Sequence, residues 1–265
     1  MDLAWVETWR RPRSREELVL APGESVVAGG TWLFSEPQPS VTGLVDLTEL
    51  AWASLSPLID GGVSIAATCT IQTLQSAHWP ASIGAVVRSC ADALLMSWKV
   101  QQAATVGGNL CLALPAGAMI SFLAALDGEM VIWTPDGGER RERVVDFVRG
   151  VGDTSLKPGE IVRAIEAGPD ALGDRYAFRR ISLTEHGRSA AVVIARRTPT
   201  GDRLVVTAAT PAPVVLELTH SPTPAEVTAA IGTIETWHDD VHGAQDWRAA
   251  QTLRLALDAL TELDS

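Results

Sequence analysis

The spacing of apolar and polar residues divides the chain into three stretches of different rhythm. Up to about residue 52 it predicts short alternating pieces. Glu16 and Glu17 open a short helix, 24–28 reads as a strand ended by Gly29-Gly30, and 43–47 reads as a second short strand. Thr31-Trp32-Leu33-Phe34 starts a turn or helix that Pro37 and Pro39 stop. From about 53 to 168 the apolar density rises. Residues 62–67 have the character of a buried strand, and 71–77 and 82–93 carry helical spacing, the latter through Ile83, Val86, Val87 and Cys90. Residues 130–133 form a strand into the turn Pro135-Asp136-Gly137-Gly138. Charged and apolar residues then alternate over 140–148, and the turn 157–160 precedes a strand over 161–165. Beyond 169 the segment 176–180 leads into three strands, at 190–195, 204–208 and 214–218. Two helices close the chain, one capped by Thr223 with Pro224 at its first position, the other capped by Asp246 and running to about 263.

One stretch, 100–126, carries no charge in a chain that is 20% charged. Its length suits a membrane span of about 20 apolar residues. Gly107, Gly108, Asn109, Pro115, Gln101 and Gln102 argue against that, and the stretch reads as a buried strand, loop and helix whose loop faces an anion. The 265 residues suffice for one large domain or two to three small ones, and 46% hydrophobic with 5% aromatic content is that expected of an ordinary soluble globular protein. A net charge of −11 speaks against a nucleic-acid partner, which needs a basic face. Cys69, Cys90 and Cys111 lack any CxxC spacing, so neither a disulfide framework nor an iron–sulfur or zinc ligand set can be drawn from them. The N-terminus has no apolar segment of a secretory signal, and a cytoplasmic setting is expected.

Gly29-Gly30 and Gly107-Gly108 are each compatible with a plain turn. Together they share a pattern: a strand, two glycines beside a small polar residue, then an apolar run. Two such loops present backbone N–H groups to a pyrophosphate. Hydrogen bonds to a charged group contribute roughly 1.5–3 kcal/mol each, so about four of them would hold a dinucleotide on an acidic protein. Neither GxGxxG nor a Walker GxxxxGK is present, so the site is not a Rossmann or P-loop site. No GxSxG elbow supports a hydrolase triad. His238 and His242, four apart, read as a solvated helix face rather than a metal site, and Cys111 reads as a small core residue.

Three segments then carry a resemblance to a family: Ala28-Gly29-Gly30-Thr31 with Leu33, Thr105-Val106-Gly107-Gly108-Asn109 with Pro115, and Tyr176-Ala177-Phe178-Arg179-Arg180. In order and spacing the chain resembles the FAD-binding medium subunit of molybdenum hydroxylases, the carbon monoxide dehydrogenase and xanthine dehydrogenase type, over nearly its whole length. The resemblance implies an α+β chain: a PCMH-type FAD-binding fold of two α/β subdomains, 1–52 and 53–168, and a small C-terminal domain, 169–265, with a three-stranded antiparallel sheet and helices. It implies FAD as this chain's cofactor, with Ala28, Gly29, Gly30, Thr31, Trp32 and Leu33, beside Val27, and Thr105, Val106, Gly107, Gly108 and Asn109 around the pyrophosphate. Val162 would lie near the flavin ring, Arg179 would be a basic residue close to it, and Leu95 a further contact. Glu185-His186-Gly187-Arg188 would be a neighbour of the flavin or an ordinary loop. No catalytic acid, base or metal ligand is expected in the chain itself.

By the same resemblance the protein is an oxidoreductase component with two partners. An iron–sulfur small subunit holds 2Fe-2S clusters and a large subunit holds molybdopterin, while the FAD subunit passes electrons to an external acceptor. Two positions depart from the family. Ala118 stands where a cofactor-binding Asp is usual, a loss of about 1 kcal/mol for one hydrogen bond. Trp32 stands where a small or polar residue is usual and reads as filling an apolar gap, or else as shielding the cofactor. A self-sufficient FAD oxidoreductase and a flavin-free scaffold of the same fold remain as alternatives.

Overall fold

A computed structural model describes residues 3–265. Its first sheet joins β1 (Thr8–Arg10), β2 (Glu24–Val27) and β3 (Gly43–Asp46), all parallel, in the order β1-β3-β2. The middle strand buries Gly43, Leu44 and Val45 in succession, as a strand covered on both faces must. β1 is invisible to patterning because its three residues are polar or exposed and it exists only through pairing with β3.

The second sheet is antiparallel. It is built from β4 (Leu55–Pro57) and β5 (Val63–Ala66), and, after five helices, β6 (Glu129–Trp133), β7 (Glu139–Arg143) and β10 (Ile161–Ala167), in the order β4-β5-β10-β6-β7. Between β7 and β10 lie the short helix α6 (Val144–Phe147) and the hairpin of β8 (Val148–Gly150) and β9 (Asp153–Thr154). The five intervening helices are α1 (Ile71–Ser76), α2 (Ala81–Ala93), α3 (Trp98–Gln101), α4 (Val106–Leu112) and α5 (Ala118–Ala125). The exposed edge strand β7 is made of Glu and Arg only, which blunts edge pairing.

The uncharged stretch is corrected here. It contains no strand: α3 ends in it, and α4 and α5 fill the rest, so Gly107 and Gly108 sit in a first helical turn and not in a loop. Thr105 caps that turn, its Oγ1 accepting the Gly108 N–H at 3.2 Å. Every residue of α5 is buried, which accounts for its lack of charge without any membrane. A small core of Leu18, Val45, Leu47 and Ile161 joins the first sheet to the second.

After α7 (Pro169–Gly173) comes a third sheet of β11 (Arg175–Ile181), β12 (Ala191–Thr198), β13 (Gly201–Thr207) and β14 (Val214–Leu218), antiparallel and in chain order. It has four strands rather than three, because the segment around Tyr176 is itself a full strand paired with β12. Period-two alternation assigns its faces. Tyr176, Val192, Ile194 and Val205 pack with α2 and α5, and Ala177, Val193, Leu204 and Val206 pack with α8 (Pro224–Ile231) and α9 (Gln245–Leu263). Thr223 caps α8 in a full capping box with Glu226. The cap of α9 is Ala244, with Asp246 inside the first turn, where its carboxylate still meets the helix's positive end.

Two buried arginines fasten this third layer. Arg196 donates to Asp174 at 2.7 Å, to Asp127 at 2.7 Å and to the Ala125 carbonyl at 3.1 Å. Arg248, 1% exposed, donates to the carbonyls of Gly243 at 2.8 Å, Ala190 at 2.5 Å and Ala208 at 2.6 Å, and pairs with Asp240. The Ala208 N–H in turn donates to the Pro115 carbonyl at 2.9 Å, in the turn between α4 and α5.

Candidate functional site

The first and second sheets face each other across a cleft of about 570 Å³, within the range of small-ligand and cofactor sites. One wall is the segment after β2, Ala28 to Leu33. The floor is Ala67, Ala104, Thr105 and the exposed face of α4, with Gly107, Gly108, Asn109 and Cys111. The far wall is the turn before β10 and the strand's start, from Leu156 to Val162.

The glycines are required by close approach. A Cβ on Gly29 would stand 1.9 Å from the Ala103 carbonyl oxygen, so the first loop rests directly on the chain that leads into α4. Gly30 has φ +66°, and a Cβ there would meet the Phe34 ring at 2.3 Å. A Cβ on Gly107 would come within 2.6 Å of the Ala67 Cβ, which is why α4 can lie against the end of β5. Two glycine pairs that are 78 residues apart, from 29 to 107, therefore meet in one place.

Their amides differ. Among the described residues, the N–H groups of Gly29, Gly30, Thr31, Trp32 and Leu33 donate to no protein acceptor, whereas those of α4 are already committed. Val106 donates to the Cys69 carbonyl at 2.9 Å, Gly107 to Ala67 at 2.9 Å and Asn109 to Thr105 at 3.0 Å. The first loop thus has free donors for an anion, and the Gly107-Gly108 turn of α4 supplies a stretch of floor that carries no side chain. Asn109 also supports the fold, because its Oδ1 accepts the Met119 N–H at 3.2 Å and caps α5, whose own cap residue, Gly117, has no side chain to do so.

The charges are arranged to leave the cleft without a bare carboxylate. Glu24 is gripped by Arg10 at 2.7 and 2.8 Å, and the hydrogen bond from that guanidinium brings its pKa from 4.5 to about 2. Glu160 accepts from Arg140 at 2.7 and 2.6 Å and from the Lys157 N–H at 2.8 Å, and Arg140 holds its carboxyl below the ordinary range. Cys111 is exposed to the cleft and is not the core residue expected from sequence. Its thiol is therefore reachable from the cleft.

Of the residues singled out from sequence, Val27, Ala28, Gly29, Gly30, Thr31, Trp32, Leu33, Thr105, Gly107, Gly108, Asn109 and Val162 all line the cleft. Trp32 keeps 43% of its surface exposed there, so it fills no gap in the core and its indole is available to a ligand. Three residues lie elsewhere. Val106, the first residue of α4, is fully buried, and Leu95 is exposed just past the end of α2 with φ 55°. Arg179 points to the opposite side of the third sheet, where it pairs with Glu262 of α9 at 2.6 Å. Strand alternation puts position 179 on the α9 face with Ala177, a signal already present in the sequence.

Glu185, His186 and Gly187 sit in the turn between β11 and β12, away from the cleft lining. His238 and His242 are not on a helix, and no cluster among the described residues has the makings of a metal site. Ala118 is 1% exposed in the core and does not line the cleft, so replacing the family's Asp leaves the walls and the glycine loop intact. Sequence reading missed Lys157, Glu160 and Glu24 as cleft residues. The only clue was their position beside turns and strand ends that flank the glycine segments.

Residues 6–167 match the family described as the FAD binding domain in molybdopterin dehydrogenase. Among solved structures, a chain of the reconstituted CO dehydrogenase from Oligotropha carboxidovorans superposes with a TM-score of 0.85 at 20% identity, covering 98% of each chain. Quinoline 2-oxidoreductase from Pseudomonas putida 86 gives 0.81 at 20% identity over 99% of each chain. Carbon monoxide dehydrogenase from Hydrogenophaga pseudoflava, in a form lacking the Mo-pyranopterin moiety of the molybdenum cofactor, gives 0.81 at 20% identity over 97% of this chain and 96% of that one. Likeness at this identity establishes the fold, C-terminal sheet included. No curated protein matches the sequence.

Proposed function

The chain belongs to the family of FAD-binding domains of molybdopterin dehydrogenases, and from that premise we propose that it is the electron-transferring FAD subunit of a molybdenum hydroxylase complex. The observation that carries this reading is the contact of Gly29 with Ala103, which brings both glycine segments to one cleft of about 570 Å³. A Cβ on Gly29 or Gly30 would drive the segment off Ala103 or Phe34, and the five amides of Gly29 to Leu33, which have no protein acceptor, belong to residues that line the cleft, so the residues fit a diphosphate.

When bound, the flavin supplies the redox chemistry, between 2Fe-2S clusters of a small subunit and an external acceptor, with molybdopterin in a large subunit. The chain's own part is to bind and orient. Gly29 to Leu33 offer neutral donors to the diphosphate, Val162 offers an apolar edge for the ring, and the half-exposed Trp32 indole offers it an aromatic surface. Arg10 and Arg140 keep Glu24 and Glu160 from repelling the anion. In this reading 1–52 and 53–168 are the two subdomains that hold FAD and 169–265 is the brace behind them, a division supported by the three larger sheets, one of which falls in each stretch. No helix among the described residues is long and apolar enough to cross a membrane.

The test is to purify the chain, release any cofactor by heat and identify it by chromatography and mass. FAD near one equivalent is expected. A colourless protein that takes up no added FAD overturns the reading. Affinity purification from the native host should also bring down partners containing iron and molybdenum.

A further inference from the structure

Lys157 is the one cation among the residues that line the cleft. The chain has only one other lysine, Lys99. Both carboxylates on the cleft walls are already paired, Glu24 with Arg10 at 2.7 Å and Glu160 with Arg140 at 2.6 Å. The Lys157 side chain is exposed and enters no ion pair or side-chain hydrogen bond among the described residues. Its backbone, by contrast, is fixed. The Lys157 N–H donates to the Glu160 carboxylate at 2.8 Å, the Glu160 N–H donates back to the Lys157 carbonyl at 3.0 Å, and Gly159 at φ +80° completes the turn.

An ammonium on an anchored stem, with no contact ion pair and only its longer-range attraction to Glu160, thus lines a space whose other donors are neutral. Amides satisfy phosphate oxygens but add no net charge, and a diphosphate brings two negative charges into a protein whose own net charge is −11. Lysine serves phosphate as a mobile point charge, without the bidentate geometry that arginine demands. We propose that Lys157 is the specificity-determining countercharge for a diphosphate-bearing nucleotide in the cleft, complementing the amides of Gly29 to Leu33. This rests on the FAD reading above.

The experiment titrates FAD into cofactor-stripped full-length chain, following quenching of flavin fluorescence at several ionic strengths, for the native protein, Lys157→Gln and Lys157→Arg. Loss of one exposed charge-assisted hydrogen bond predicts about ten-fold weaker binding for Lys157→Gln. It also predicts a flatter salt dependence, because the oxidised flavin ring is uncharged and only the diphosphate responds to screening. Lys157→Arg should keep the salt slope and most of the affinity. Thermal melts of the stripped proteins should differ little, since the side chain makes no contact ion pair and its attraction to Glu160 is added to the one Arg140 already supplies. Equal affinities, or parallel salt slopes for native and Lys157→Gln protein, overturn the assignment while leaving the FAD reading in place. Failure of the native chain to bind FAD overturns both.

Discussion

Gly29 has so little room that a single methyl group there must push the loop away from Ala103. Gly29→Ala should therefore weaken FAD binding at least ten-fold and lower stability by about 1–3 kcal/mol, the usual cost of overpacking; flavin titration and a thermal melt check both. Glu24 provides the pH dependence. Its folded pKa, about 2, lies below the ordinary 4.5 because of Arg10, so its contribution is complete above about 4.5 and disappears as pH falls towards 2. The contribution is at most about 3 kcal/mol by linkage, less because Arg10 is partly in water. Glu24→Gln should be the less stable protein at pH 7 in urea titrations, with the two stabilities converging near pH 2. Cys111 offers a third readout: of the three cysteines it is the exposed one, and it lines the cleft. A thiol reagent should label a single site, and bound FAD should slow that labelling. Glycines at a cleft announce themselves in a sequence. The exposure of Cys111 and the pairing of Glu24 with Arg10 do not, because both depend on partners distant along the chain.

At the level of elements, what patterning missed was decided by pairing and capping. The strands with alternating or dense apolar residues were legible, as were the turn before β10 and the capping box of α8. β4 was not, since Leu55-Ser56-Pro57 has too short a pattern and an exposed proline. The glycine pair in α4 misled for a different reason: glycine disfavours helix by about 1 kcal/mol relative to alanine, yet packing on Ala67 tolerates nothing larger. The helix survives because Thr105 caps it and its first amides find Cys69 and Ala67 carbonyls. Asn109 plays the matching part for α5. Asn109→Ala should cost about 1 kcal/mol by removing that cap, measurable as a lower urea midpoint in the cofactor-free protein.

Across the molecule, the third sheet shares one continuous core with α2 and α5, through Tyr176, Val192, Ile194 and Val205. A chain ending at residue 168 would leave those helices uncovered and should aggregate on size-exclusion chromatography, although the cleft itself lies entirely before that point. This long-range dependence could not be read from sequence, where the C-terminal strands look like an appended unit. The buried Arg248 carries it furthest. Its guanidinium satisfies Ala208, whose amide holds Pro115, and that carbonyl belongs to the turn that joins α4, part of the cleft floor, to α5. A lesion at the tail of the protein would accordingly be felt as a shorter flavin residence time, and a screen for slow cofactor loss would return substitutions around Arg248 that touch no part of the binding wall.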